Sequence, residues 1–282
     1  MQEVDALVTS EVSLEHLQQI ARKLRRHIVK MLAIAGSGHP GGSLSAIDIL
    51  TALFFGNVLR YDPKNPRWAD RDRFILSKGH AVPALYAVLA EAGFIPEEWL
   101  WQLRKIDTPM QGHPSVKDLP AVEASTGSLG QGLSIGLGMA LAARLDQRHY
   151  RVYVMIGDGE SEEGQIWEAA MAASHFRVGN LTAILDYNRY QLDGAIGEIM
   201  SIEPVVAKWE AFGWAVREID GHDMRQIMEA LHWAQEPREQ PSIIVAHTVK
   251  GKGVSFMENN NEFHGKAPTQ AELEQALAEL AD

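Results

Sequence analysis

The sequence predicts one α/β domain, a doubly wound and mainly parallel sheet flanked by helices. Apolar runs of buried-strand length lie at Arg73–Leu76, Val152–Ile156, Leu181–Tyr187, Trp214–Ile219 and Pro241–Ala246. Helical patterns of three- and four-residue spacing alternate with them, the order that βαβ units require. No repeat, low-complexity segment or shift in composition divides the 282 residues, so 1–282 reads as a single domain.

In chain order, Leu14, Leu17, Ile20, Ala21, Leu24, Ile28 and Leu32 mark a long first helix. The stretch Gly36-Ser37-Gly38-His39-Pro40-Gly41-Gly42 is expected to be a loop, being too rich in Gly and Pro for a helix. Ile47–Leu59 reads as a helix, and Tyr61–Asp72, with Pro63 and Pro66, as a connection. After the first strand come Ser77-Lys78-Gly79-His80, a helix over Ala84–Ala92, and another over Pro96–Arg104 with Pro in its first turn. Residues 107–128 hold no convincing helix but contain Gln111-Gly112-His113-Pro114. Gly127-Ser128-Leu129-Gly130-Gln131-Gly132 then leads into a helix over Leu133–Leu145. A glycine-rich run before a helix suits an anion. It equally suits close packing, since Gly132, Gly136 and Ala140 share one face.

The central unit is Arg151–Gly194. Gly157-Asp158-Gly159 ends one strand, a helix follows with Ile166, Ala169, Ala170, Ala173 and Phe176 on one face, and Asn188 ends the next strand. Ligands of open α/β sheets bind outside the carboxyl ends of strands. Asp158 and Asn188, thirty positions apart, are therefore expected to converge. One carboxylate and one amide oxygen suit Mg²⁺, which takes few protein oxygens and completes its shell with phosphates. The flanking glycines let phosphate approach the backbone. No G-x-x-x-x-G-K-[ST] motif is present, which argues against an ordinary ATP site. The alternative is a turn aspartate and a strand-end asparagine with no metal.

Beyond the unit, Pro204–Phe212 reads as a helix, and Gly221-His222-Asp223 as the turn before the helix of Ile227, Leu231 and Ala234. His222 is read as a neighbour of the helix cap with no chemistry. Lys250 and Lys252, among glycines after the last strand, suit a phosphate or a solvated loop; Lys78 reads as solvated. Glu160 and Glu162 read as an acidic helix start. Thr269-x-x-Glu272 is a capping box ahead of a last helix with Leu273, Leu277 and Leu280.

Composition narrows the function. A net charge of −11 argues against broad binding of nucleic acid or an anionic membrane. The absence of cysteine excludes disulfides, zinc–thiolate sites and a thiol nucleophile. The amino terminus has acids and no apolar core, which is unlike a leader, and no run approaches a membrane span. A cytoplasmic protein is the expectation.

GDG followed by Asn at this spacing resembles the thiamine diphosphate signature, and LDYNRYQLDG resembles its transketolase version. SGHPGGSLS (37–45), DRFILSKGHAVPALYA (72–87), QGHP with EASTGSLGQGLSIGLGMA (111–140) and FHG (263–265) are similar to the same family in the same order. The resemblance spans nearly the whole chain but only the amino-terminal, diphosphate-binding domain of a transketolase. It implies thiamine diphosphate and Mg²⁺ as cofactors, with Asp158, Asn188 and the backbone carbonyl of Tyr190 as metal ligands. It implies that Gly127, Leu129, Gly157, Gly159, His80 and His264 border the cofactor. By the same resemblance His39, His80, His113 and His264 contact the sugar and move protons. Glu163 would reach toward a glutamate of a partner chain that carries the pyrimidine-binding and carboxyl-terminal domains. A split, two-gene transketolase, assembled two plus two and acting on sugar phosphates, follows as the expectation. The rival readings are the α subunit of a 2-oxo acid dehydrogenase, a deoxyxylulose-phosphate synthase fragment, and a non-catalytic scaffold of the same fold.

Overall fold

A computed structural model describes residues 12–281. The acidic stretch read as unlike a leader lies largely outside them. Helix α1 (Leu14–Ala35) starts at Ser13, whose side chain accepts from the His16 amide, and stops at Gly36, which takes the left-handed conformation (φ 64°) that glycine adopts without strain. Helix α2 (Pro40–Phe55) begins inside the stretch expected to be a loop and ends before Leu59. Pro40 occupies its first turn, where a missing N–H costs nothing. Its glycines are needed for approach: a Cβ at Gly41 would lie 3.1 Å from the Phe263 carbonyl oxygen. Tertiary packing thus overrides a local propensity cost of about 1 kcal/mol per glycine.

Strand β1 (Arg73–Leu76) is followed by helix α3 (Val82–Glu91). The helix expected over Pro96–Arg104 is a short 3₁₀ segment, Glu97–Gln102. Helix α4 (Gln131–Leu145), strand β2 (Val152–Gly157), helix α5 (Gly164–His175) and strand β3 (Leu181–Tyr187) form the central unit as expected. A short helix α6 (Ile196–Ile199), which the sequence did not announce, precedes α7 (Val205–Ala211) and strand β4 (Ala215–Asp220). Helix α8 (Met224–Gln235), strand β5 (Ser242–His247) and helix α9 (Gln270–Glu279) complete the order. The capping box ahead of α9 is formed in both directions between Thr269 and Glu272.

The five strands are all parallel, in the order β1-β2-β3-β5-β4. Alternation along each strand divides the core in two. Phe74, Tyr153, Met155, Ile184 and Ile244 pack on one face with α1, α2, α3, α8 and α9. Ile75, Val152, Val154, Ala183 and Val245 pack on the other with α4, α5 and α7. Helix α2 is apolar all round and buried over nearly its whole length, as a helix enclosed on every side must be. Burying each of Leu44, Ile47, Leu50 and Leu53 contributes roughly 1.5–3 kcal/mol. The shared face of α4 serves close packing: a Cβ at Gly136 would stand 2.4 Å from Val154 Cγ2. The amino end of α2 and the carboxyl ends of β1, β2, β3 and β5 therefore meet at one edge of the sheet.

Candidate active site

That edge holds a cavity of about 260 Å³, lined among others by His80, Leu129, Asp158, Asn188, Tyr190 and Lys250. Gly157, Gly159, Glu163 and His264 also line it. Asp158 and Asn188 do converge. The Arg189 backbone N–H, next to Asn188, donates to Asp158 Oδ2, and the Gly159 N–H donates to Oδ1 at 2.8 Å. Asp158 is 2 % exposed and makes no ion pair among the described residues. Burial first, and the neighbouring Asp186 second, push its carboxyl up to about 7. A buried carboxylate that lacks a cation is costly, so the residues present fit a divalent ion. Asn188 Oδ1 accepts from the Tyr190 N–H at 3.1 Å, and its amide nitrogen lies 3.4 Å from Ser45 Oγ. Arg189 itself sits at φ 69°, so the turn after β3 is tightly specified.

The four histidines come from four separate segments, His39 at the start of α2 and His80 and His264 in short 3₁₀ turns, and gather into one cluster. The His39 ring lies 5.2 Å from His80, 5.5 Å from His264 and 6.4 Å from His113, centre to centre. His80 and His264 are 5.4 Å apart. All four are held below the ordinary imidazole range, chiefly by burial. His39 falls to about 4, with Arg104 and His113 adding to the effect, and His264 to about 3, with Lys250 adding. His80 lies well below, helped by Lys78, and His113 is lowered, helped by Arg104. At neutral pH the cluster is uncharged. Gly127 lies against this cluster: at φ 143°, a Cβ there would stand 3.0 Å from His113 Cδ2. Glu163 caps α5 at the rim of the cavity and is exposed.

Two expectations are overturned here, those for Lys78 and Glu160, and one of the two readings of Lys250 is excluded. Lys78 is not solvated. It is 2 % exposed, pairs with Asp186, and donates to the Gly42 carbonyl at 2.9 Å. Asp186 is fully buried and also receives Ser45 Oγ at 2.6 Å and the Thr248 hydroxyl. It ties α2, β1, β3 and β5 together beneath the cavity. Nor is Lys250 solvated: it is 1 % exposed, and its ammonium donates to Asn261 Oδ1 (2.9 Å), His264 Nδ1 (2.8 Å) and the Gln191 carbonyl (3.3 Å). Burial lowers it to about 8. Glu160 is not a solvated helix start but a buried acceptor for Ser77 Oγ (2.5 Å), Gly130 N–H (2.9 Å) and Gly157 N–H (3.0 Å). It braces the glycine-rich turn before α4 against the end of β2.

His222 is also more than a neighbour of the cap, which Asp223 itself forms. His222 Nδ1 bonds Asp48 Oδ2 at 2.7 Å, and its Nε2 accepts from the Val249 N–H at 2.8 Å. Arg25 pairs bidentately with Asp48 at 2.8 and 2.7 Å and reaches the Lys252 carbonyl at 3.0 Å. The loop that carries Lys250 is thereby fixed from below. The signal for these residues was a charge inside an apolar context: Asp186 within β3, and Asp48 within α2. A buried charge must be paired.

Known proteins place the chain in a family. Residues 16–281 match the family described as the transketolase, thiamine diphosphate binding domain. The chain is 41% identical to an apulose-4-phosphate transketolase subunit of Phocaeicola vulgatus, the match covering 96% of each. It is 44% identical to 6-deoxy-6-sulfo-D-fructose transketolase subunit SqwG of a Clostridium species, over 96% of this chain and 97% of that one. The crystal structure of transketolase from Campylobacter jejuni superposes with a TM-score of 0.90 at 34% identity, covering 95% of this chain and 43% of that one. The chain belongs to the transketolase family, in its thiamine diphosphate-binding domain.

Proposed function

We propose that this chain is the diphosphate-binding subunit of a split transketolase, which moves a two-carbon ketol unit from a ketose to an aldose. The observation that carries the reading is one buried, cation-seeking carboxylate in a cavity also lined by His80 and His264, against whose rings His39, and beyond it His113, are packed. Mg²⁺ would be held by Asp158, Asn188 and the Tyr190 carbonyl, and the diphosphate by that ion and the glycine turns, with the buried charge of Lys250 lining the same cavity. Gly127 and Leu129 would border the thiamine. Thiamine diphosphate, when bound, supplies the nucleophilic carbon that carries the two-carbon unit.

The chain's own residues position and move protons. Lys250 donates to His264 Nδ1, so the His264 proton sits on Nε2, where it can be donated to a substrate oxygen. His39, His80 and His113 are neutral and able to accept a hydroxyl proton or share their own. Glu163, exposed at the rim, would meet a second chain. That chain would bring the pyrimidine-binding and carboxyl-terminal domains, in a two-plus-two complex, and most of the grip on a sugar phosphate. The relatives' naming as transketolase subunits that match this chain over nearly their whole length supports the division. A cytoplasmic complex acting on sugar phosphates completes the proposal. Affinity purification of the tagged chain from its native extract tests it: a stoichiometric second chain and ketol transfer by the pair are expected. Steady ketol transfer by the pure single chain would overturn the split.

A further inference from the structure

We infer that His222 is a positioning residue for the cofactor site, a neutral ring that latches the loop carrying Lys250 to helix α2 and so fixes where that charge stands in the cavity. The inference rests on the transketolase reading and adds to it a residue outside the cofactor cavity. His222 lines a second, open cavity of about 750 Å³, which shares Asn188 and Tyr190 with the first and also holds Asp220, His247 and Lys252. Its backbone is set by the turn after β4. The His222 N–H donates to Asp220 Oδ1 at 2.8 Å, and the Gly221 N–H donates to the His247 carbonyl at 2.7 Å. Glycine permits that approach, since a Cβ at Gly221 would stand 2.5 Å from Thr248 Cγ2.

The two partners of the ring place its proton. A backbone N–H only donates, so Nε2, which takes the Val249 N–H at 2.8 Å, carries none. The proton is therefore on Nδ1, 2.7 Å from Asp48 Oδ2, and Arg25 keeps that carboxyl ionised. A neutral imidazole offers one donor and one acceptor on a rigid ring, which is what a bridge between a carboxylate and an amide N–H requires. The side chain is 13 % exposed. Val249 is the one residue between Thr248 and Lys250. Thr248 is tied to the Tyr187 carbonyl and to Asp186 before it, and beyond Lys250 the Gly251 N–H donates to the Gly41 carbonyl at 3.0 Å and Arg25 holds the Lys252 carbonyl. His222 is the side chain that fixes the link between these anchors. Lys250 in turn donates to His264 Nδ1, so a displacement at Val249 reaches two groups of the cofactor cavity. Arg25, Asp48 and His222 thus form one relay from α1 and α2 to the loop after β5.

The test compares three variants of the full chain. His222→Gln carries an acceptor to the place of Nε2, His222→Asn keeps only the bond to Asp48, and His222→Phe keeps a ring and neither bond. Thiamine diphosphate affinity with Mg²⁺ is read by calorimetry, and the His264 ring signals by ¹⁵N NMR in the chain without cofactor. Affinity should fall about three- to tenfold in His222→Asn and His222→Phe, the scale of one hydrogen bond, and stay within about twofold of wild type in His222→Gln. The His264 signals should move in the first two and stay in place in the third. Unmoved His264 signals in His222→Asn overturn the inference. So does an equal loss of affinity in His222→Gln and His222→Asn, which would mark a role in the turn alone. Where His222→Phe does not fold, the Gln and Asn pair decides. Failure of the transketolase reading shows separately, as absence of ketol transfer by the wild-type complex, and the His264 signals, read without cofactor, decide the latch in either case.

Discussion

Asp48→Asn should destabilise the chain by about 2.5–4 kcal/mol and loosen the cofactor site from beneath. Burial alone would raise the Asp48 carboxyl, but the Arg25 guanidinium and the His222 and Arg25 hydrogen bonds outweigh it and hold it at about 2 against an ordinary 3.8. That difference corresponds to about 2.5 kcal/mol favouring the ionised form in the fold. Removing the charge also leaves Arg25 buried without its counter-ion, and breaking a buried pair costs roughly 3–5 kcal/mol in other proteins. The folded value lies below the unfolded one. The contribution is therefore complete above about pH 4 and is lost as pH falls from about 4 through about 2. Urea unfolding of both proteins measures it: the gap between them should be constant from about pH 8 to 5 and close only below about 4. Arg25 and His222 hold the Lys252 carbonyl and the Val249 N–H, so thiamine diphosphate should also bind the variant more weakly. Equal stability at neutral pH, or a gap that stays open in acid, would refute the reasoning.

Asp158→Asn should leave the metal-free chain within about 1 kcal/mol of wild type, because it removes a buried charge but turns one oxygen that accepts a backbone N–H into a donor. The same change should abolish the rise in melting temperature that Mg²⁺ and thiamine diphosphate confer on wild type, and a rise of wild-type size would count against the metal site. Lys250→Met deprives three acceptors of their donor and should weaken cofactor binding about 10–100-fold, the scale of one hydrogen bond to a charged group. Calorimetry reads the affinity. In the same variant the His264 NMR titration should move up, yet stay below the ordinary value because burial is the larger cause. Glu160→Ala strands Ser77 Oγ and two backbone N–H groups and should cost about 2–4 kcal/mol in urea unfolding. A cost below about 0.5 kcal/mol would show that water replaces the carboxylate.

The strands were legible because a parallel sheet covered on both faces leaves continuous apolar runs, and the observed ends of β1 to β5 fall within a residue or two of the expected ones. Strand ends also told where Asp158 and Asn188 would meet, since period and topology settle that without side-chain detail. The start of α2 was not legible. Pro40, Gly41 and Gly42 argue locally for a loop, and the reason for the helix lies in Lys250, His80 and Phe263, which are distant in sequence. The same blindness applies to charge. Lys78, Lys250 and Glu160 look like surface residues in one dimension. Only the fold reveals that each is surrounded by acceptors or donors from three separate segments.

Asp186 takes bonds from Lys78, Ser45 and Thr248 at once, so the floor of the cavity behaves as a keystone rather than as a set of independent contacts. Substitutions there are coupled, and a single change must await its compensating neighbours. The rim is held by local bonds instead, such as Gln111 Nε2 to the Thr108 carbonyl and Ser115 Oγ to Asp118, and Arg104, Ile106 and Val116 on the connection between α3 and α4 are exposed. New sugar preferences should therefore be accessible by single steps along residues 104–118, while the floor changes only in concert. A library of variants confined to that segment is the economical way to redirect the enzyme without disturbing its hold on the cofactor.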